Sequence, residues 1–188
     1  NYIFDNDARF EIGKIIFEDA QSDNDFKKAY EHFQGVTLGK NDNSAEYMLG
    51  YMNYFGLGTL KDYKLAYKYF LESTRRPNSD TIYSIDIFDF GSAFYYLGMM
   101  AIEGKGCEKD YTLAESNFNK GFFSIPCKYM LAVMNYQGLC KKSSKVRSAE
   151  LFKLIYELQG LTELDKEFKI KAKEFWDNNE MWKYSDTD

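Results

Sequence analysis

Apolar residues recur in much of the chain at the spacing of amphipathic helices. Ala45, Leu49 and Met52 lie at i, i+4 and i+7, and Ala66 and Phe70 lie four residues apart further along. This spacing places each set on one face of a helix, with polar residues on the other faces. The pattern predicts a unit of two amphipathic helices, which needs neighbouring units to bury its apolar faces.

This unit occurs twice, at a fixed offset of 48 residues. The matching positions are Leu49, Gly50, Gly56, Gly58, Asp62, Tyr63, Ala66 and Phe70, followed by Leu97, Gly98, Gly104, Gly106, Asp110, Tyr111, Ala114 and Phe118. Composition alone does not produce so many matches among such different residue types. A period of this length indicates a helical-repeat solenoid.

Two fainter copies flank the central pair. The downstream copy has Leu131, Gly138 and Ser144 at an offset of 34, and the upstream copy has Gly13, Asp25, Phe26, Ala29 and Phe33 at an offset of 37. We therefore predict four repeats, at about 8–44, 45–80, 90–126 and 127–160, of which the outer two are degenerate.

Turn and cap residues separate the two helices of a unit. Gly56 and Gly58 accept positive φ where the first helix ends. Asp62 is placed to cap the second helix through its carboxylate. Gly50 and Ala66 are small residues on facing helices, so we expect the two backbones to approach closely there.

The motif A-x-Y-x-L-G-x(5)-G-x-G-x(3)-D-Y-x-x-A-x-x-x-F runs from Ala45 to Phe70 and again from Ala93 to Phe118. It resembles the SEL-one-like repeat (SLR), a relative of the tetratricopeptide repeat. The resemblance implies an all-α, right-handed α/α superhelical solenoid in a single domain, 1–188. It also implies a non-enzymatic adaptor that binds a protein partner.

Within this resemblance three functional alternatives stay open. Stand-alone SLR proteins include antagonists of secreted toxins, which would make this chain a bacterial immunity protein. Other SLR proteins are proposed to bind or hydrolyse β-lactams, but their paired cysteines are missing here. The third alternative is a fragment of a larger secretion or quality-control adaptor.

The spacing between the second and third repeats exceeds the family's usual period, which indicates an insert at about 75–89. Pro77 ends the preceding helix, because a proline disfavours helical backbone in the residue before it. The apolar residues Ile82, Ile85 and Phe88 follow. The insert is either a solvated spacer or a protruding contact loop.

A last helix is predicted in 162–184. Thr162 and Asp165 have the spacing of a capping box. Apolar residues then recur at helical spacing, at Leu164, Phe168, Ala172 and Phe175. We expect this helix to cover the last repeat as a C-terminal cap.

A second stripe on the first helices of the repeats is rich in Met and Tyr. Its apolar members are Met48, Tyr51, Phe55, Tyr96, Met99, Met130 and Val133. In solenoids of this type the first helices line the concave surface, and Tyr and Met are enriched in interface cores. We expect this stripe to bind the protein partner, unless neighbouring helices bury it.

Composition supports a folded protein that does not bind polyanions. Hydrophobic residues make up 45% and aromatic residues 18% of the chain, which is enough for a core and unlike a disordered chain. The net charge of −5 disfavours nucleic acid and anionic membranes as partners. The longest uncharged runs, Tyr47–Leu60 and Phe90–Ile102, are too short to span a bilayer. We therefore expect a soluble protein. Its compartment stays open, and the SLR resemblance implies the bacterial cytoplasm or periplasm.

Candidate chemistry is sparse. His32 is the only histidine, and the three cysteines, Cys107, Cys127 and Cys140, show no CxxC spacing. The sequence has no catalytic motif of a hydrolase and no phosphate-binding loop. Asp19, Asp23 and Asp25 resemble the start of a calcium loop, but the glycine and glutamate that such a loop needs are absent. We expect no catalytic residue, cofactor or metal.

Overall fold

The computed structural model describes residues 2–37, 43–75, 87–160 and 162–185. These ranges contain α-helices and one short 3₁₀ helix, Met181–Tyr184, and no strand. The α-helices are α1 (Tyr2–Glu18), α2 (Asp23–Thr37), α3 (Asn43–Phe55), α4 (Tyr63–Ser73), α5 (Ile87–Glu103), α6 (Tyr111–Lys120), α7 (Ile125–Gln137), α8 (Lys145–Glu157) and α9 (Glu163–Asn178). The predicted all-α fold of paired helices is confirmed.

The chain forms two compact units. Unit 1 contains Asn1–Ala93 and Gly104–Glu108, and unit 2 contains Phe94–Glu103 and Lys109–Asp188. The predicted boundaries of the four repeats and their union in a single domain stay a prediction. The insert predicted at 75–89 lies largely outside the described residues, which exclude 76–86. On either side of this gap, α4 ends at Ser73 and α5 begins at Ile87.

Unit 1 contains two helical hairpins, α1 with α2 and α3 with α4, and α2 packs on α3. The core between the hairpins combines residues from both of them. Ala29, Tyr30 and Phe33 of α2 lie against Leu49 and Met52 of α3. The apolar face predicted for α3 is therefore the face that stacks on the preceding hairpin.

The glycine turn after α3 adopts the predicted conformation, with φ of 75° at Gly56 and 64° at Gly58. Gly58 also lies against the first turn of α2. A β-carbon there would be 2.3 Å from the backbone nitrogen of Lys27, and the Gly58 N–H donates to Asp23 Oδ1 at 3.2 Å. Only glycine fits this position, because both the positive φ and the contact exclude a side chain.

The second helices of the two central repeats, α4 and α6, begin at aspartate caps, as predicted. The Leu65 N–H donates to Asp62 Oδ1 at 3.0 Å. The N–H groups of Thr112 and Leu113 both donate to Asp110 Oδ1, at 2.7 and 3.0 Å. These bonds satisfy donors that have no partner within the helix.

Gly50 is in close contact with α4, but the contact is with the ring of Phe70 rather than with Ala66, the predicted partner. A β-carbon at Gly50 would lie 2.8 Å from Cδ1 of Phe70, and the three nearest atoms all belong to that ring. Ala66 and Phe70 share one face of α4 and both are fully buried. The larger Phe70 side chain reaches α3 first, so the glycine makes room for a ring.

Unit 2 contains the hairpin of α7 with α8, residues 94–103 of α5 packed on α6, and the last helix, α9. Helix α9 packs on both α7 and α8. Its capping box is formed as predicted: the Asp165 N–H donates to Thr162 Oγ1, and the Thr162 N–H donates to Asp165 Oδ2. The ring of Phe175 stacks on Phe152 with centroids 4.9 Å apart.

Candidate protein-binding surfaces on the first helices

In unit 1 the predicted stripe is an aromatic surface on α3. Met48 and Tyr51 are half-buried, and 41% of Phe55 is exposed. The rings of Tyr51 and Phe55 lie 4.6 Å apart, and Tyr51 also contacts Phe17 of α1 at 6.1 Å. Burial raises the pKa of Tyr51.

This aromatic surface continues beyond the predicted residues. Tyr54 contacts Phe55 at 4.9 Å and Tyr63 at 5.3 Å. The Lys105 ammonium lies 6.0 Å from the Tyr54 centroid and 5.2 Å from the Tyr63 centroid. Such cation–π contacts hold the turn 104–108 against the second hairpin.

In unit 2 the predicted residues lie on α5 and α7. Tyr96, Met99, Met130 and Val133 are all half-buried. None of the seven predicted residues is therefore buried, which counts against the alternative in which adjacent helices enclose them. Their role in binding stays a prediction.

The two units differ in charge. Unit 1 holds 16 Asp and Glu against 11 Lys and Arg, whereas unit 2 holds 13 of each. The whole net charge of −5 therefore belongs to unit 1. Within unit 1, residues 2–37 carry eight acidic and four basic side chains, so the excess is concentrated in the first hairpin.

The stripe does not include several strongly exposed apolar residues. Leu60, in the turn after α3, is 89% exposed, and Ile12 and Ile15 are exposed on α1. Leu60 lies outside the helices and has no periodic signal. Ile12 and Ile15 match buried residues of the next repeat, so the helical pattern alone predicts burial for them.

The cysteines, the acidic cluster and the histidine are the groups that could take part in chemistry, and each is buried, half-buried or hydrogen-bonded within the fold. Burial raises the pKa of Cys127 to about 12 and that of Cys140 to about 11, so both thiols stay protonated and unreactive. Asp25 bonds Ser22 and Lys28, and these hydrogen bonds lower its pKa. His32 is half-buried on α2. Within the described ranges, no group of three His, Cys, Asp or Glu residues is arranged to hold a metal ion.

A search for membrane-spanning helices in the same described residues found none with the required length and apolar character. A search of curated proteins found no significant match.

Solved structures of two proteins resemble the chain in fold. One is a protective antigen present in uropathogenic Escherichia coli strains and displaying an SLR fold, with a TM-score of 0.66 and 19% identity. The other is a Sel1 repeat protein from Oxalobacter formigenes, with a TM-score of 0.62 and 16% identity. Each match covers 79% of this chain, but only 29% of the first protein and 57% of the second. These likenesses support an all-α helical-repeat solenoid fold.

The family model of the Sel1 repeat matches residues 43–77, 92–121 and 125–159. These ranges correspond to the second, third and fourth predicted repeats. Repeats of this kind support a role as a protein–protein interaction scaffold, and such scaffolds are in general non-catalytic. Because the matches cover more than half of the 188 residues, the chain belongs to the Sel1 repeat family.

Proposed function

We propose that this chain is a non-enzymatic adaptor that binds a protein partner through the exposed parts of its first helices. The observation that carries the proposal is the surface of α3, where Phe55 is 41% exposed and lies 4.6 Å from the half-buried Tyr51. Aromatic side chains supply large contact areas at little entropic cost, and they dominate the energetics of protein interfaces.

In unit 2 the corresponding contact residues are Tyr96, Met99, Met130 and Val133. All four are half-buried, so each offers part of its side chain to a partner while the rest is held in place by the fold. Methionine adapts its shape to an apolar partner surface, which suits a binding role. We propose that each of the two units contributes contacts to a protein partner.

The partner in the sharper form of this proposal is a secreted bacterial toxin, which would make the chain an immunity protein. The acidic balance of unit 1 supports this form, because a negative surface steers a basic partner towards it and speeds association. The binding proposal does not depend on it, because any basic protein would experience the same attraction.

The test is affinity capture from the native organism with three forms of the chain as bait: unchanged, Tyr51→Ala with Phe55→Ala, and Lys68→Ala. Lys68 is exposed on the second helix α4 and serves as the matched control. We expect one stoichiometric partner, whose affinity falls by ~1–3 kcal/mol for each lost anchor and is unchanged in the control. Thermal unfolding of all three forms should be similar.

Retention of the partner by the Tyr51→Ala, Phe55→Ala bait would contradict the proposal for unit 1. Tyr96→Ala with Met99→Ala tests unit 2 in the same way. Co-expression of the chain with the captured partner in a sensitive host tests the immunity form. Rescue of growth would support that form, whereas a harmless partner would overturn it and leave the binding proposal standing.

A further inference from the structure

Helix α1 exposes an apolar face that is buried in the next repeat. At the 37-residue offset, Ala8, Ile12 and Ile15 of α1 correspond to Ala45, Leu49 and Met52 of α3. The three residues of α3 are fully buried. In α1, by contrast, Ala8 is exposed, Ile12 is 46% exposed and Ile15 is 58% exposed.

The difference follows from what covers each face. In α3, Leu49 and Met52 lie against Ala29, Tyr30 and Phe33 of helix α2. Another side of α1 is covered by the rest of unit 1, because Phe10 and Phe17 pack on its core. Helix α1 is thus apolar on two sides, and one of them has the residue pattern that elsewhere in this chain receives a helix.

Acidic side chains line one border of this face. The other border has Arg9, which lies against Gly35 of α2, and Ile16, which packs on the core of unit 1. Asp7, Glu11, Glu18 and Asp19 are all exposed along α1 and at its C-terminal end. Lys14 pairs with Glu11 at 3.7 Å, which offsets one of these charges. An apolar strip with carboxylates along its solvent-facing border is complementary to a helix whose apolar strip has Lys or Arg along the matching border.

We propose that the face formed by Ala8, Ile12 and Ile15 docks an amphipathic, basic α-helix of a partner protein. The occupant is a helix because the equivalent residues of α3 receive one, and it is basic because the solvent-facing border of the face is acidic. A second copy of this chain is disfavoured, since it would bring two acidic first hairpins together. This surface is separate from the stripe on α3, α5 and α7, and the inference does not rest on the proposed function.

The first test measures binding of a labelled model peptide by fluorescence anisotropy. The peptide is a helix with Leu at i, i+4 and i+7 and Lys along one border of that strip, and its control has Glu in place of Lys. We expect the Lys peptide to bind the unchanged chain and the Glu peptide to bind much more weakly. Ile12→Gln with Ile15→Gln should lower the affinity about tenfold or more, because both contacts lose their apolar area.

Ile170→Gln is the matched control variant, because Ile170 is also an exposed isoleucine on a helix, with 61% exposure on α9. It should leave the peptide affinity unchanged. Asp7→Asn with Glu18→Gln should weaken binding and reduce its dependence on salt. Equal binding of the Lys peptide by the Ile12→Gln, Ile15→Gln and Ile170→Gln forms would overturn the proposal, and so would equal binding of the two peptides.

A second test asks whether the face is already covered. Ile15→Cys is introduced together with Cys107→Ser into the whole gene product, and thiol labelling is followed without added peptide. We expect rapid labelling that the Lys peptide slows. Protection that grows with protein concentration would assign the face to a second copy. Protection at every concentration would assign it to another helix of the same polypeptide, and either result would overturn the proposal.

Discussion

A β-carbon added at Gly98 of α5 would lie 2.3 Å from Cε1 of Phe118 in α6, closer than two non-bonded carbon atoms can approach. Twenty residues separate the pair. The same separation joins Gly50 to Phe70 at 2.8 Å and Gly13 to Phe33 at 2.9 Å. The first helix of each of these repeats therefore carries a glycine where the phenylalanine of the second helix crosses it.

The fourth repeat keeps the phenylalanine and replaces the glycine. Ala132 and Phe152 stand twenty residues apart, and both are fully buried. An aromatic residue three positions before the small one completes each contact. The ring pairs are Phe10 with Phe33, Tyr47 with Phe70, Tyr95 with Phe118, and Tyr129 with Phe152, with centroids 5.6, 5.9, 6.4 and 6.0 Å apart. Each repeat therefore has the same three-residue contact where its two helices cross: a small residue, a phenylalanine and a second aromatic ring.

Gly98→Leu should destabilise the chain by about 1–3 kcal/mol or more, because the new side chain must displace the Phe118 ring from a packed core. Gly35→Ala is the control, since the atoms nearest to its added β-carbon are the mobile end of Arg9. That variant should be neutral or slightly stabilising, because alanine favours helix. Urea unfolding followed by circular dichroism measures the free energy of unfolding of both variants. Equal stability of the two would contradict the close packing of Gly98 against the Phe118 ring.

Asp110→Ala should cost about 1 kcal/mol of unfolding free energy, because the N–H groups of Thr112 and Leu113 lose their acceptor. Asp110→Asn keeps a side-chain oxygen and should recover most of the loss. Thermal unfolding of the three forms provides the comparison. If the asparagine form were as unstable as the alanine form, the carboxylate charge rather than the cap would be responsible.

Phe168→Ala should destabilise unit 2 by about 3–5 kcal/mol. Phe168 is buried in α9, and its ring contacts Tyr95 at 5.4 Å and Tyr129 at 5.2 Å, so its loss leaves a cavity between three helices. Phe123→Ala, at an exposed phenylalanine, is the control and should change little. Differential scanning calorimetry distinguishes the two variants, and similar melting temperatures would mean that α9 contributes little to the core.

Only Cys107 should react readily with a thiol reagent in the native protein. It is half-buried in the turn after α5, whereas Cys127 and Cys140 are buried and their pKa values are raised. Under denaturing conditions all three should react. The Cys107→Ser form provides the baseline, and fast labelling of that form without denaturant would show that the buried thiols open frequently.

Stability should fall as the pH rises from about 9 towards 12. Burial raises the pKa of Cys127 from 9.0 to about 12, so in this window the unfolded chain releases a proton that the folded chain retains. That ionisation stabilises the unfolded state relative to the folded state, and below the unfolded pKa the effect disappears. Cys127→Ala should reduce this slope in urea titrations at successive pH values, whereas Cys107→Ser should not. Cys140, whose pKa is raised to about 11, accounts for part of the slope that is left.

The sequence alone determined the local elements of this fold. The turn glycines Gly56 and Gly58, the cap at Asp62 and the capping box of Thr162 and Asp165 all formed as predicted. Each depends on residues a few positions apart, whose conformational limits and hydrogen bonds operate within one turn or helix end. The repeat offset also identified the paired helices, because the same local pattern recurs.

Which residues contact each other, and which helix faces are covered, depend on the packing of helices that are distant in sequence. Sequence spacing placed Ala66 opposite Gly50, but the longer side chain of Phe70 fills that contact. Leu49 and Ile12 occupy equivalent positions in the same helical pattern, yet the first is buried and the second exposed. Periodicity defines a face within one helix, whereas burial depends on whether another helix is present against it.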